Sequence, residues 1–199
     1  MSKVGILLSG GIDSIALAYW KRPDVAYTVN YGQVCAQGEI RAASTVAKIL
    51  GIPHFLLDVN CKQLGSGDLA GKKACSVAPV SEWWPFRNQL LITIVAMKAI
   101  QDGVETLLFG TVETDSTHCD GTVAFFQSMT NVLEMQEGGI SVLSPAINLS
   151  SAELVKCSGI DGTVLAWAHS CHTSDFACGS CRGCNKHRIV MTELGFEPY

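Results

Sequence analysis

Val4-Gly5-Ile6-Leu7-Leu8 is a short apolar run that breaks off at Ser9-Gly10-Gly11, the pattern of a buried strand entering a turn. Similar runs recur at Val25–Val29, His54–Val59 and Val104–Phe109, the last halted by Gly110; their β-branched and aromatic residues suit strands. Helical spacing fills the intervals. Asp13 to Trp20 reads as a first helix stopped by Pro23. Ile40, Ala43, Val46, Ala47 and Leu50 share one helical face, with Gly51 placed as its C-cap. Arg87 to Gln101 is apolar on most sides and is expected to be a well-buried helix. Val123, Phe126, Met129, Val132 and Leu133 mark an amphipathic one, and Ala152 to Cys157 a short one. Residues 60 to 86 lack periodicity and contain Gly65, Gly67 and Gly71; a loop that long inside a compact domain is usually functional or mobile. Strands alternating with helices predict an α/β fold, a parallel twisted sheet with helices on both faces in the Rossmann manner.

The chain has 199 residues, of which 48% are hydrophobic, enough for one well-buried domain. No repeat or linker divides it, so residues 1 to 199 are read as one domain. The net charge of −4 leaves no basic footprint for a large nucleic acid. No apolar run reaches membrane-spanning length, and the start lacks a signal-peptide pattern. A cytoplasmic protein without a membrane partner is expected.

The nine cysteines change the picture. Their odd number and C-terminal clustering fit a reducing compartment and a metal site better than a disulfide framework. Cys171, Cys178, Cys181 and Cys184 follow a C-x6-C-x2-C-x2-C spacing. Four close thiolates suit tetrahedral zinc with no position left open for catalysis, which makes 165–190 a small zinc lobe. An iron–sulfur cluster also uses four cysteines. His169, His172 and His187 lie nearby as spare residues.

Ser9-Gly10-Gly11-Ile12-Asp13-Ser14 carries the most specific chemistry. Glycine permits positive φ and close approach of a ligand, and a following helix N-terminus favours an anion. Ser9 and Ser14 add hydroxyl donors. No lysine follows the glycines, which separates this loop from the P-loop of phosphoryl-transfer enzymes. The plainer reading is a Gly-Gly turn with Asp13 capping a helix. The six residues resemble the SGG-x-DS pyrophosphate loop of the adenine-nucleotide α-hydrolase-like ATP pyrophosphatases. That resemblance implies ATP, with magnesium, and attack on the α-phosphate.

Tyr31-Gly32-Gln33 after the second strand, Pro85-Phe86-Arg87-Asn88 at a helix start, Gly110 after a strand and the cysteine knuckle follow in order. The ordered set resembles the 7-cyano-7-deazaguanine synthase (QueC) family across nearly the whole chain. The resemblance implies adenylation of 7-carboxy-7-deazaguanine by ATP, amination by ammonia, and a second activation that yields the nitrile. It implies that Ser9, Gly10, Gly11, Asp13 and Ser14 hold the ATP phosphates, with Asn88 and Gly110 also at the ligand. Asp13, Ser14 and Arg87 are the implied catalytic residues, Arg87 through bidentate bonds to phosphate or carboxylate. Read without the resemblance, Arg87 and Asn88 are a helix start with a solvent-facing charge. A homodimer is likewise implied.

Departures from the family pattern concentrate on the substrate side. Val34 and Cys35 stand where an Arg-His pair is usual, and Glu39 falls one position late. Thr117-His118-Cys119-Asp120-Gly121-Thr122 replaces a Tyr-Pro-Asp-Cys-Arg segment, and Ser150-Ser151 a region that usually carries a lysine. The usual basic residue after the last cysteine falls at His187 or Arg188. Asp115, Asp120 and Thr122 become candidates for the deazapurine side against turn and cap roles, with Cys119 a minor one. An alternative is a QueC-like antiphage-defence enzyme that passes the activated acid to a protein or nucleic-acid acceptor. A zinc-stapled nucleotide-binding module without catalysis is the third reading.

Overall fold

A computed structural model describes residues 2 to 197. Strands β1 (Lys3–Leu7), β2 (Val25–Asn30), β3 (His54–Asp58), β4 (Val104–Leu108) and β5 (Ser141–Leu143) form one sheet. Its order is β3-β2-β1-β4-β5, and every pairing is parallel. The helices are α1 (Ile12–Lys21), α2 (Ala36–Leu50), α3 (Arg87–Ala99), α4 (Val123–Glu134), α5 (Ser151–Ser158), α6 (Gly162–Leu165) and α7 (Arg182–Glu193).

Side chains alternate across a strand. Ile6, Leu8 and Ala26 therefore meet Ile15 of α1, Val46 of α2, Leu154 of α5, Leu165 of α6 and Val190 of α7. On the other face, Leu7, Val25 and Tyr27 meet Ile92 and Val95 of α3 and Phe126 and Met129 of α4. Leu69 and Trp84 from the aperiodic stretch join that second core. Residues 60 to 86 thus form a cover anchored around 66–70 and 82–84, with two short 3-10 turns, Lys62–Leu64 and Asp68–Ala70, while most of 71–81 is exposed.

Three elements differ from the sequence expectation. Helix α3 buries only the face carrying Leu91, Ile92, Val95, Ala96 and Ala99, and Met97 is 65% exposed. The sheet lies on one side of it, so apolar residues elsewhere face outward. Strand β5 is too short to show a period. It is placed by pairing with β4 and by Thr130 of α4, whose hydroxyl accepts from Val142 N–H (3.0 Å) and donates to Val142 O (3.1 Å). Helix α7 begins inside the cysteine knuckle, where Cys181 is the N-cap and its Sγ accepts from Cys184 N–H at 3.4 Å.

The sheet order reverses between β1 and β4. Doubly wound sheets bind ligands in the crevice beyond the strand ends at such a reversal. Here the serine–glycine turn leaves β1 and Gly110 leaves β4, so both lie at that crevice.

Candidate active site

Gly10 adopts φ +82°, and a Cβ there would lie 2.5 Å from the Glu39 carbonyl oxygen. Only glycine meets both demands. Gly11, in extended conformation, is the N-cap of α1 and offers no side-chain cap bond. Asp13 therefore sits in the first helical turn and does not cap the helix, which removes the plainer reading of the motif. Ser9 Oγ donates to Ser14 Oγ (3.1 Å), which donates to Gly11 O (2.9 Å). Across the crevice, a Cβ on Gly110 would come within 2.9 Å of Ser14 Cα. Chain from β4 thus closes directly on the loop, and Gly11, Ile12, Asp13 and Ser14 line the opening, at a helix start, where the leading N–H groups lack intrahelical partners.

A cleft of about 640 Å³ extends from this loop, past α3 and the 60–86 cover, to α7. Among the described residues, three buried side-chain atoms have no hydrogen-bond partner: Asp13 Oδ1, Ser151 Oγ and His172 Nδ1. All three residues line the cleft. Buried polar atoms are normally satisfied, so their concentration in one cavity marks a place for a polar ligand.

Three cations line the cleft: Lys186, Arg87 and Arg182. Lys186 of α7 reaches Asp13 Oδ2 at 2.9 Å and Asp115 Oδ1 at 3.8 Å. Burial disfavours its charge, but Asp13 and Asp115 outweigh burial and hold its pKa above the ordinary lysine value. Arg87 is half-buried; burial disfavours its charge, but Tyr31, Asp120, Glu39 and Asp115 hold its pKa above the ordinary arginine value. A solvent-facing charge at a helix start does not describe it. Glu82 of the cover is buried and pairs with Arg182 at 3.1 Å, placing a second ion pair on the cleft wall.

The four knuckle cysteines converge, with their sulfurs all within 4.8 Å of one another. Cys178–Cys184 and Cys171–Cys181 are each 3.9 Å apart. A single tetrahedral ion at about 2.3 Å from each sulfur spaces them about 3.8 Å apart. A four-iron cube with one cysteine per iron holds its thiolates farther apart, so the donor set fits one ion. The nearby histidines do other work. His169 N–H donates to Gly10 O at 2.8 Å, His169 Nε2 lies 3.1 Å from Ser174 O, and His187 Nδ1 lies 3.3 Å from Ser170 Oγ. The cysteine lobe is thereby tied to the glycine loop.

The expected site residues divide in two. Ser9, Gly11, Asp13, Ser14, Arg87, Asn88, Gly110, Asp115 and Asp120 line the cleft, and Gly10 shapes its loop. Asp120 is already engaged: its Oδ2 accepts from Asn88 N–H (3.3 Å) and its carbonyl accepts from Asn88 Nδ2 (2.9 Å). Thr122 instead N-caps α4, accepting from Phe125 N–H at 3.3 Å, and neither it nor the exposed Cys119 lines the cleft. Lys186, Arg182, Glu82, Trp84 and His172 were not singled out for the site from sequence. Lys186 had one usable signal: two positions after Cys184, it is one helical turn beyond the start of α7.

A 7-cyano-7-deazaguanine synthase from a Nitratiruptor species is 29% identical over 198 residues, spanning 92% of this chain and 90% of that protein. One from Chlorobium phaeovibrioides is 31% identical over 211 residues, spanning 96% and 92%. Among solved structures, the U34-tRNA thiolase NcsA from Methanococcus maripaludis, with its [4Fe-4S] cluster, superposes with TM-score 0.57 at 18% identity. It covers 96% of this chain and 66% of the thiolase, and at that identity the likeness is one of fold. The sequence profile of a family described as queuosine biosynthesis protein QueC matches residues 3–195, and the chain belongs to that family.

Proposed function

We propose that the protein uses ATP to adenylate the carboxylate of 7-carboxy-7-deazaguanine and aminates it, first to the amide and then to the nitrile. The observation that carries this reading is the cleft itself. It joins an anion-binding glycine loop, a buried unpartnered carboxylate oxygen and a half-buried arginine at the sheet's reversal. Membership of a synthase family supplies the substrate class.

A carboxylate resists amines because its charge repels them and oxide is a poor leaving group. Adenylation supplies a leaving group. The loop N–H groups with Ser9 and Ser14 hold the pyrophosphate end, and Arg87 presents its fork to the acid or the α-phosphate. Asp13, with Oδ1 free of any protein donor, would hold magnesium. Magnesium, when bound, neutralises phosphate charge. Cys171, Cys178, Cys181 and Cys184 hold zinc, which stabilises the lobe and leaves no open coordination position.

Lys186 supplies the phosphate cation that the loop's own sequence lacks. Lys186→Met is expected to raise the KM for ATP about 10- to 100-fold, the worth of one charge-assisted bond. Steady-state pyrophosphate release against ATP checks it. A lowered melting temperature with unchanged KM would make Lys186 only a structural clamp on Asp13.

Incubation with ATP, magnesium, 7-carboxy-7-deazaguanine and ammonium, read by mass spectrometry, tests the whole reading. The nitrile together with AMP is the expected result. AMP without nitrile or amide would point to a macromolecular acceptor. No AMP would refute the assignment.

A further inference from the structure

Glu39 is a cleft-lining carboxylate that neither the phosphate loop nor the metal lobe uses. Its backbone packs on Gly10, so the side chain stands beside the loop where the acid would be activated. Both carboxylate oxygens are held. Gln33 Nε2 donates to Oε2 at 2.8 Å, and Cys35 Sγ donates to Oε1 at 3.5 Å. The orientation of the Gln33 amide is forced, because its Oε1 must accept from Tyr31 N–H at 2.9 Å while Nε2 also serves Val29 O at 3.2 Å. An ionised carboxylate has about four acceptor positions; these two bonds leave positions open to the cleft.

We propose that Glu39 accepts the protons shed by the nitrogen nucleophile, an inference that rests on the acid-activating function above. Ammonium has no free electron pair and cannot attack the acyl adenylate until it loses a proton. The nitrogen pair then forms the C–N bond, the C–O bond to AMP breaks with its pair on the phosphate oxygen, and a second proton leaves the adduct to give the amide. When a second ATP activates the amide oxygen, the nitrogen sheds its last two protons as AMP departs with that oxygen, leaving the nitrile. Each proton passes to a free Glu39 lone pair and on to water. No oxidant or reductant is involved.

The surroundings suit a group that must take and release protons near neutrality. Burial pushes the Glu39 carboxyl up to about 7, against the opposing pull of the Gln33 and Cys35 hydrogen bonds and of Arg87, while Asp175 adds to the rise. Tyr31 faces it from the turn between β2 and α2, and His169 packs against the adjacent Gly38. Only the deprotonated form accepts a proton. Amide formation from bound ammonium, at constant ammonium concentration, is therefore expected to rise with pH through about 7 and then level off.

Two readouts separate the steps in the full-length, metal-loaded protein: pyrophosphate–ATP exchange dependent on 7-carboxy-7-deazaguanine, and amide plus nitrile formation from ammonium. In Glu39→Gln, transfer to nitrogen is expected to fall at least about 100-fold, the lower range for a lost general base. Exchange falls far less, and the rise in rate near neutrality disappears. Hydroxylamine, largely uncharged near neutral pH, restores acyl transfer. Should Glu39→Gln fail to fold, Glu39→Asp, which withdraws the oxygens by one methylene, gives the same split in smaller measure. Equal loss of exchange and transfer, loss of neither, or no rescue by hydroxylamine overturns the proposal. Absence of exchange in the unaltered protein would instead overturn the function it rests on.

Discussion

Asp13→Asn is expected to lower AMP formation about 100- to 1,000-fold, the usual cost of removing one preorganised electrostatic contact at a reacting centre. The substitution keeps the side chain's shape and removes its charge. In the folded protein Asp13 does two things: Oδ2 meets Lys186 at 2.9 Å, and Oδ1 is buried with no partner. The first contact is partly buried, with side chains 15% and 33% exposed. Its loss is worth about 1–2 kcal/mol, between an exposed pair and a fully buried one. Lys186 keeps Asp115 at 3.8 Å, so its charge is not stranded. For a domain of this size that amounts to a fall of about 2–8 °C in melting temperature. Pyrophosphate exchange and a thermal melt on the same preparation separate the two contributions. AMP formation within tenfold of the parent would remove Asp13 from the chemistry, and an unfolded product would make its charge a structural requirement. A capping role is already excluded by Gly11 at the N-cap.

What was legible in the sequence follows from where the specifying forces lie. Strands β1, β2 and β4 are buried on both faces, and their apolar runs announce them locally. Helix α2 shows its period and ends at Gly51 in the left-handed conformation (φ +68°). The glycine loop and the cysteine knuckle are compact motifs whose chemistry depends on near neighbours. The elements missed depend on distant contacts. Thr130 fixes β5 from another element, and α7 hides its period behind the cysteines that start it. The cleft's cations were hidden for the same reason. Lys186 meets Asp13 across 173 positions, and Arg182 meets Glu82 across 100. Asp120 shows the opposite case. Its residue type suggested recognition of a base, and the fold directs its carboxylate to the start of α3.

The cysteine lobe acquires a functional meaning from that geometry. Helix α7 starts at the cysteine set and delivers both Arg182 and Lys186 to the cleft, while His169 ties the lobe to Gly10. Cys181→Ser is expected to lose most of its zinc, from about one ion per chain, and to lose ATP binding with it. Serine is a good N-cap, so the start of α7 keeps its capping oxygen and the damage is assignable to the metal. Structural zinc sites in small peptides contribute about 10–16 kcal/mol, more than the roughly 5–15 kcal/mol by which whole domains are stable. Disorder of the lobe and poor solubility are therefore expected, with the sheet core less affected. Cys157→Ser, an exposed cysteine outside the cluster, should retain metal, solubility and activity. Elemental analysis, nucleotide-binding calorimetry and limited proteolysis of the two variants make the comparison. If Cys181→Ser were metal-free yet folded and fully active, the metal would be dispensable and α7 would be positioned by Val190 and Met191 packing against the core and by its ion pairs to Asp13 and Glu82.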